Sequence, residues 1–469
     1  MKPVVLQIGL GLHAQKVHAP ILRRLHREGT VEFAAVVDRE AGRFDAEQYL
    51  DRWAGPRPEL LTVTAELAGT ELAPETERRL DQLCAARGIN TVFVSTEPLA
   101  HRAYAGWALR RGLHLLVDKP PVGRPGPAVD PVPARAMAAD FAELEALAHG
   151  SPGVAGVFTH RRYHAGWLLV RDRLREVAER TGSPVTSVTV EHTDGEWRMP
   201  WEIADQEYHP FNQGYGMLLH SGYHTVDTAL WVTSAAGRWE GASVSAWMTM
   251  PRDNAAVLGP EQLAALFPAG LPAGWQRGYE DLEEPQRFGE LDARLTVALR
   301  AGDRTPTVLT INMLHTSFSR RGWPTSTGRN LYTGNGRVRQ ETYLIQQGPF
   351  QSIKVESYKA GLGEEPAGGP TAPGGSKHWR MTVFRNASLF PEWPMVEEFD
   401  LPAGDPKGEL ITDFLQCARS GRPDDFGSAL AGHHDPVNIV AAAYESWAAR
   451  PAGGPEWVEV PAGVRHLAH

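Results

Sequence analysis

The first 38 residues constrain the fold most. Val4 to Ile8 is a short apolar run that breaks at Gly9-Leu10-Gly11-Leu12-His13-Ala14, after which Ile21, Leu22 and Leu25 recur at helical spacing up to Gly29. A second apolar run, Val31 to Val37, ends in Asp38, 29 positions after Gly9. Strand, glycine turn, helix and strand in this order form a βαβ unit, which commits the chain to a parallel sheet. Each residue of the turn has a physical task in such a unit. Gly9 permits the tight turn, and Gly11 lets the backbone amides of Leu12 and His13 approach a pyrophosphate at the helix N-terminus. Ala14 is small enough for the helix to lie close to the strand, and Asp38 can accept hydrogen bonds from ribose hydroxyls. An ordinary tight turn is the competing reading. Arg39, beside Asp38, could pair with a 2′-phosphate, so NAD is the expected cofactor and NADP remains open.

The alternation continues, with strands at Leu60 to Val63, Thr91 to Ser95 and from Leu113, and helices at Glu75 to Arg87 and Pro98 to Arg111. This predicts a doubly wound parallel sheet of the Rossmann kind. The Leu113 strand reads Leu-His-Leu-Leu-Val and stops at Asp118-Lys119, backed by Pro120 and Pro121. Ligands of open α/β sheets bind outside the carboxyl ends of the strands, so Lys119 faces whatever the domain binds. Only 7 of the 47 basic residues are lysine, which makes Lys119 a candidate for chemistry; a surface lysine closing a strand is the alternative.

A chain of 469 residues exceeds what one hydrophobic core usually serves, so two domains are expected. Four prolines between Val122 and Pro133, then a helical stretch from Ala134 to Ala148, place the boundary near residue 150: a nucleotide-binding domain over 1–150 and a substrate-binding and oligomerisation domain over 151–469. In the second domain the runs Val185 to Val190, Ala242 to Met248, Ala293 to Leu299 and Thr307 to Leu314 alternate as in a largely antiparallel, α+β sheet. Helices are expected near Glu409 to Arg419 and Val437 to Ala449, with a last strand at Trp457 to Val460. Pro251 to Gly289 and Gly361 to Ser376, rich in Gly, Pro, Ala and Glu, read as surface insertions. A net charge of −9 without a basic run gives no footprint for nucleic acid or an anionic membrane. Two distant cysteines, Cys84 and Cys417, match no disulfide framework or zinc spacing, and no apolar segment suits a signal peptide or a membrane span. A cytoplasmic location is expected.

The richest motif of the second domain is Gly214-Tyr215-Gly216 through His220 and His224 to Asp227 and Trp231. As a helix it would set His220, His224 and Asp227 on one face. Imidazoles titrate near neutral pH and suit the movement of a proton. A histidine satisfied by Asp227 is the structural alternative. A metal held by the three is not expected, because no His-Glu-x-x-His or Cys-x-x-Cys spacing accompanies them.

Four motifs in order resemble the glucose-fructose oxidoreductase, inositol dehydrogenase and rhizopine-catabolism (Gfo/Idh/MocA) family: Gly9-x-Gly11-x-x-Ala14; Thr96 to His101, similar to Thr-Pro-x-x-x-His; Asp118-Lys119-Pro120, similar to Glu-Lys-Pro; and Gly214-x-Gly216 through His224 to Asp227. The resemblance implies a Rossmann domain, a second domain whose open sheet forms a homodimer or homotetramer, and NAD(P)-dependent redox at a carbon of a carbohydrate-like small molecule. It implies that Lys119 touches substrate and nicotinamide, that His224 is the acid/base, and that Ser95, Thr96, Glu97, His101 and Asp118 lie along the cofactor. Glu97 replaces the family proline, Asp118 its glutamate, and His220 the aspartate that partners lysine and histidine. Arg162, Tyr163, Trp197, Tyr215, His220, His224 and Asp227 are the candidate substrate contacts. The expected function is hydride transfer between nicotinamide and a hydroxyl-bearing carbon of a sugar, polyol or sugar-derived molecule. A redox-neutral NAD-dependent lyase or hydrolase acting on a glycoside, and a non-catalytic dinucleotide or sugar sensor, are the alternatives.

Overall fold

The computed structural model of the protein describes residues 2–461 apart from 54, 65–69, 207, 255, 258, 269, 271–281, 283, 321–336, 359–367, 373–374, 376 and 403. Six strands form the first sheet: β1 (Val4–Ile8), β2 (Glu32–Arg39), β3 (Glu59–Val63), β4 (Thr91–Val94), β5 (His114–Asp118) and β6 (Ala155–Phe158). Their order is β3-β2-β1-β4-β5-β6, and every neighbouring pair is parallel. The sheet reverses its winding between β1 and β4, and the ligand crevice of such a fold opens there, at the carboxyl ends of the strands. β6 lies beyond residue 150, so the first sheet takes one strand from the segment expected to belong wholly to the second domain; Leu115 of β5 pairs with Ala155.

Nine strands form the second sheet, built from β7 (Ser187–Thr193), β8 (Gly241–Thr249), β9 (Asp292–Ala301), β10 (Arg304–Leu314), β11 (Gln340–Gln347), β12 (Gln351–Tyr358), β13 (Trp379–Arg385), β14 (Val396–Asp400) and β15 (Val458–Pro461). The order is β14-β13-β12-β11-β7-β10-β9-β8-β15. All neighbours are antiparallel except β7 and β10. Thr193 at the end of β7 pairs with Leu314 at the end of β10 and with Gln340 at the start of β11, so the residues that follow or precede these three meet at one corner.

The chain returns to the first domain near its end. In the helix Pro406–Ser420, Leu410, Ile411 and Phe414 are buried with Val5, Phe93, Leu116 and Phe158 of the first sheet. Each such side chain contributes about 1.5–3 kcal/mol on burial, which ties the two domains together. Of the two expected insertions, residues 251–289 hold the short helices Pro251–Asn254 and Pro260–Leu266. Residues 271–281 of the first, and 361–367, 373–374 and 376 of the second, lie outside the described residues. Among the described residues no helix is long and apolar enough to cross a membrane.

Candidate active site

A cavity of about 390 Å³ opens between the carboxyl ends of β1, β4, β5 and β6 and the corner of the second sheet formed by β7, β10 and β11. Gly9, Gly11, His13, Asp38, Arg39, Ser95, Thr96, Glu97, His101, Asp118 and Lys119 all line it. Leu12 and Ala14, of the same turn, do not; Ala14 is fully buried in the contact between helix and sheet.

The turn after β1 is built for close approach. Gly9 has φ 85°, and a Cβ there would stand 2.8 Å from the carbonyl carbon of Ser95 and 3.0 Å from Thr96 Cγ2. A Cβ on Gly11 would meet nothing within 4 Å, so the space above this amide is open to a ligand. Asp38 is anchored by the main chain, Oδ2 accepting from Leu10 N at 2.9 Å and Oδ1 from Arg39 N at 2.7 Å. The glycine turn, the open space and the anchored carboxylate fit a dinucleotide.

At the end of β5, Asp118 accepts from Ser95 Oγ at 2.5 Å, and His18 Nε2 and His13 Nε2 stand 3.2 and 3.9 Å from its oxygens. Burial alone would raise its carboxyl, but His18, His13 and Ser95 hold it below the usual carboxylate range. The donor atoms of His13, His18 and Asp118 all lie within 4.8 Å of one another, a cluster the sequence spacing does not announce. His101 joins the exits of β4 and β5, its Nδ1 2.7 Å from the carbonyl oxygen of Pro120 and its Nε2 3.0 Å from that of Thr96. Glu97 is pushed up to about 7 by burial, against the pull of Arg39 and Lys119.

Lys119 Nζ donates to the backbone carbonyl oxygen of His220. The Lys119 ammonium is lowered to about 8, chiefly by burial, with Arg339 and Arg161 acting in the same direction and Asp118 and Asp194 opposing them. His220 lies in a π-helical turn, Leu218–Gly222, that leads into the helix Tyr223–Thr233. Burial, Lys119 and His315 hold its imidazole well below its ordinary value, so the ring is neutral at physiological pH. His224 lines the cavity beside it, its ring centroid 4.9 Å from that of His160.

The expected stripe of His220, His224 and Asp227 is broken. Asp227 lies a turn further along the helix, away from the cavity, where Arg162 Nη2 donates to its Oδ1 at 2.6 Å and His433 Nδ1 stands 3.3 Å away. Both members of the Arg162–Asp227 pair are buried, so the structure gives them to each other instead of to the cavity. Tyr163 also stands outside the cavity, its hydroxyl donating to Asp413 at 2.5 Å. Trp197 turns its indole N–H to the carbonyl of Ser317, and Tyr215 is fully buried behind His220, ring centroids 5.5 Å apart. The cavity residues the motifs do not reveal come from the corner of the second sheet: Asp194 and Glu196 after β7, His315 after β10, Arg337 and Arg339 before β11, with Arg161 and His209 from connecting segments.

Residues 4–130 match the model of the GFO_IDH_MocA oxidoreductase family, NAD-binding Rossmann fold. No curated protein matches the chain by sequence. Several solved structures share its fold at low identity. A 3-ketoreductase from Actinomadura kijaniata, in complex with NADP and TDP-benzene, is 15% identical with a TM-score of 0.55, the alignment covering 94% of this chain and 97% of that one. An aldose-aldose oxidoreductase from Caulobacter crescentus, complexed with glycerol, is 15% identical with a TM-score of 0.56, covering 98% and 100%. GenD2 from gentamicin A biosynthesis, in complex with NAD, is 18% identical with a TM-score of 0.55, covering 98% and 97%. Residues 4–130, with the glycine turn, Asp38 and Lys119 on one cavity, thus form an NAD-binding Rossmann domain of the Gfo/Idh/MocA oxidoreductase family.

Proposed function

We propose that the protein transfers a hydride between NAD(P) and a hydroxyl-bearing carbon of a sugar, polyol or sugar-derived substrate. The observation that carries this reading is the placement of Lys119, a half-buried cation at the carboxyl end of β5, between the glycine turn on one side and His220 and His224 on the other. The backbone around Gly9 and Gly11 would hold the pyrophosphate, Asp38 the adenosine ribose, and Ser95, Thr96 and Glu97 the wall along the remainder. A bound nicotinamide supplies the two-electron acceptor or donor. In the oxidising direction the C–H bond gives up its electron pair as hydride, the O–H bond gives up its proton, and a carbonyl forms. Lys119 holds the reacting oxygen and stabilises the negative charge that develops on it. His224 takes the proton, the neutral form of an imidazole being the competent one.

The aldose-aldose oxidoreductase that shares the fold supports the substrate class. The test is to mix the protein with NAD or NADP and a panel of aldoses, polyols, sugar acids and nucleotide sugars, and to follow reduced-nicotinamide absorbance. At least one of them should reduce the cofactor. Bound cofactor with no absorbance change across the whole panel, run in both directions, would contradict the reading.

A further inference from the structure

The half of the cavity away from the glycine turn carries an imbalance of charge. Among the described residues, Lys119, Arg161, Arg337 and Arg339 line it against the carboxylates Asp194 and Glu196 and, beside Lys119, Asp118, in a chain whose net charge is −9. The imbalance is assembled by register: because Gln340 pairs with Thr193, Arg339 lies beside Asp194, and its Nε is 2.6 Å from Asp194 Oδ1. Arg337 Nη2 reaches the same oxygen at 2.8 Å, and Ser221 Oγ donates to Oδ2 at 2.9 Å. One carboxylate thus serves two guanidiniums and a hydroxyl. Glu196, 2.8 Å from Arg337 Nε, is also shared, with Arg198 Nη2 at 2.7 Å. Arg161 is engaged behind the wall by Glu341 and by Tyr343 Oη at 3.2 Å.

Guanidiniums gathered around too few carboxylates in a partly dry site are costly without a further anion, and their planar donors suit two oxygens of one group. The backbone here is also held in an unfavourable conformation. Trp197, between Glu196 and Arg198, has φ 43°, and the cavity residue His209 has φ 58°. Such strain persists where surrounding structure over-determines it, and it gathers at ligand sites.

We propose that the substrate of this site carries an oxyanion, a carboxylate or a phosphate, seated on Arg337 and Arg339 while its reacting carbon faces Lys119. The proposal takes the reaction from the oxidoreductase reading, but the binding it describes does not depend on turnover. An anion there also offsets the pressure of Arg339 on the Lys119 ammonium, so a charged substrate moves the loss of its proton to higher pH.

Calorimetric titration of the cofactor-loaded protein with matched pairs in the gluco, galacto and manno series, each a neutral hexose against its hexuronate and its 6-phosphate, tests this. In at least one series an acid should bind about tenfold to a hundredfold more tightly than its neutral hexose, and added salt should erode the difference. A preference for the uronate identifies a carboxylate, and one for the 6-phosphate identifies a phosphate. Arg339→Gln should reduce the ratio of acid to neutral affinity about tenfold, and Arg339→Lys should keep most of it. Equal or weaker binding of the acids in every series, or no binding of any, overturns the proposal, whether or not the variants fold. A clear acid preference with no cofactor reduction would leave this proposal standing and remove the oxidoreductase reading. Turnover of neutral sugars with no acid preference would do the reverse.

Discussion

Lys119 Nζ donates to the main-chain carbonyl of His220, not to its side chain. Position 220 therefore serves the lysine through an atom that no substitution removes. A carboxylate stands nearby. Ser221, the next residue, donates to Asp194, and Asp194 favours the charged form of Lys119 from the end of β7.

A pH dependence follows. Lys119 is lowered to about 8, so a rate that needs its ammonium should fall as pH rises through about 8. A carboxylate favours a neighbouring ammonium, so His220→Asp should move that limb to higher pH. A pH–rate profile of the two proteins decides this; an unmoved limb would make the side chain at 220 a bystander.

The glycine turn separates two effects of an added methyl group. Gly9→Ala places a Cβ against Ser95 at φ 85°, and should cost both stability and dinucleotide affinity. Gly11→Ala meets only open space, and should keep its melting temperature while binding dinucleotide at least tenfold more weakly. Thermal melts and fluorescence titration distinguish them. Unchanged binding in Gly11→Ala would place the pyrophosphate elsewhere.

Cofactor preference should follow Asp38. Its carboxylate is pinned by the amides of Leu10 and Arg39, so it cannot swing away from a 2′-phosphate. NADH should bind more tightly than NADPH, and Asp38→Ala should narrow the gap. Tighter NADPH binding by the unaltered protein would assign the choice to Arg39.

Much of this site is local in sequence. Gly9, Gly11, Asp38, Lys119 and the residues Ser95, Thr96, Glu97 and His101 follow strands whose apolar runs are easily read, and all of them line the cavity. Arg337 and Arg339 are not legible in this way. They precede a strand, Gln340–Gln347, whose apolar run is only Tyr343-Leu344-Ile345 between polar residues, and only its pairing with β7 brings them to Asp194, more than a hundred residues earlier. Asp227 is the converse case. Its helical spacing from His224 is as read, yet the helix carries it out of the cavity toward Arg162, a partner that spacing along one helix cannot reveal.

Asp227 should accordingly behave as structure. Asp227→Asn strands a buried Arg162 and should lower stability by about 3–5 kcal/mol, while folded protein retains turnover. Chemical denaturation with parallel kinetics tests both parts. A stable but inactive variant would return Asp227 to the catalytic relay.

The central claim is that Lys119 acts on the substrate oxygen, and Lys119→Met tests it most directly, since the substitution keeps an unbranched apolar stem of similar length and removes the ammonium. Turnover should fall by on the order of 10² to 10⁴, while the dissociation constant for the dinucleotide stays within about tenfold of the unaltered protein. A variant that keeps half of its turnover would contradict the account.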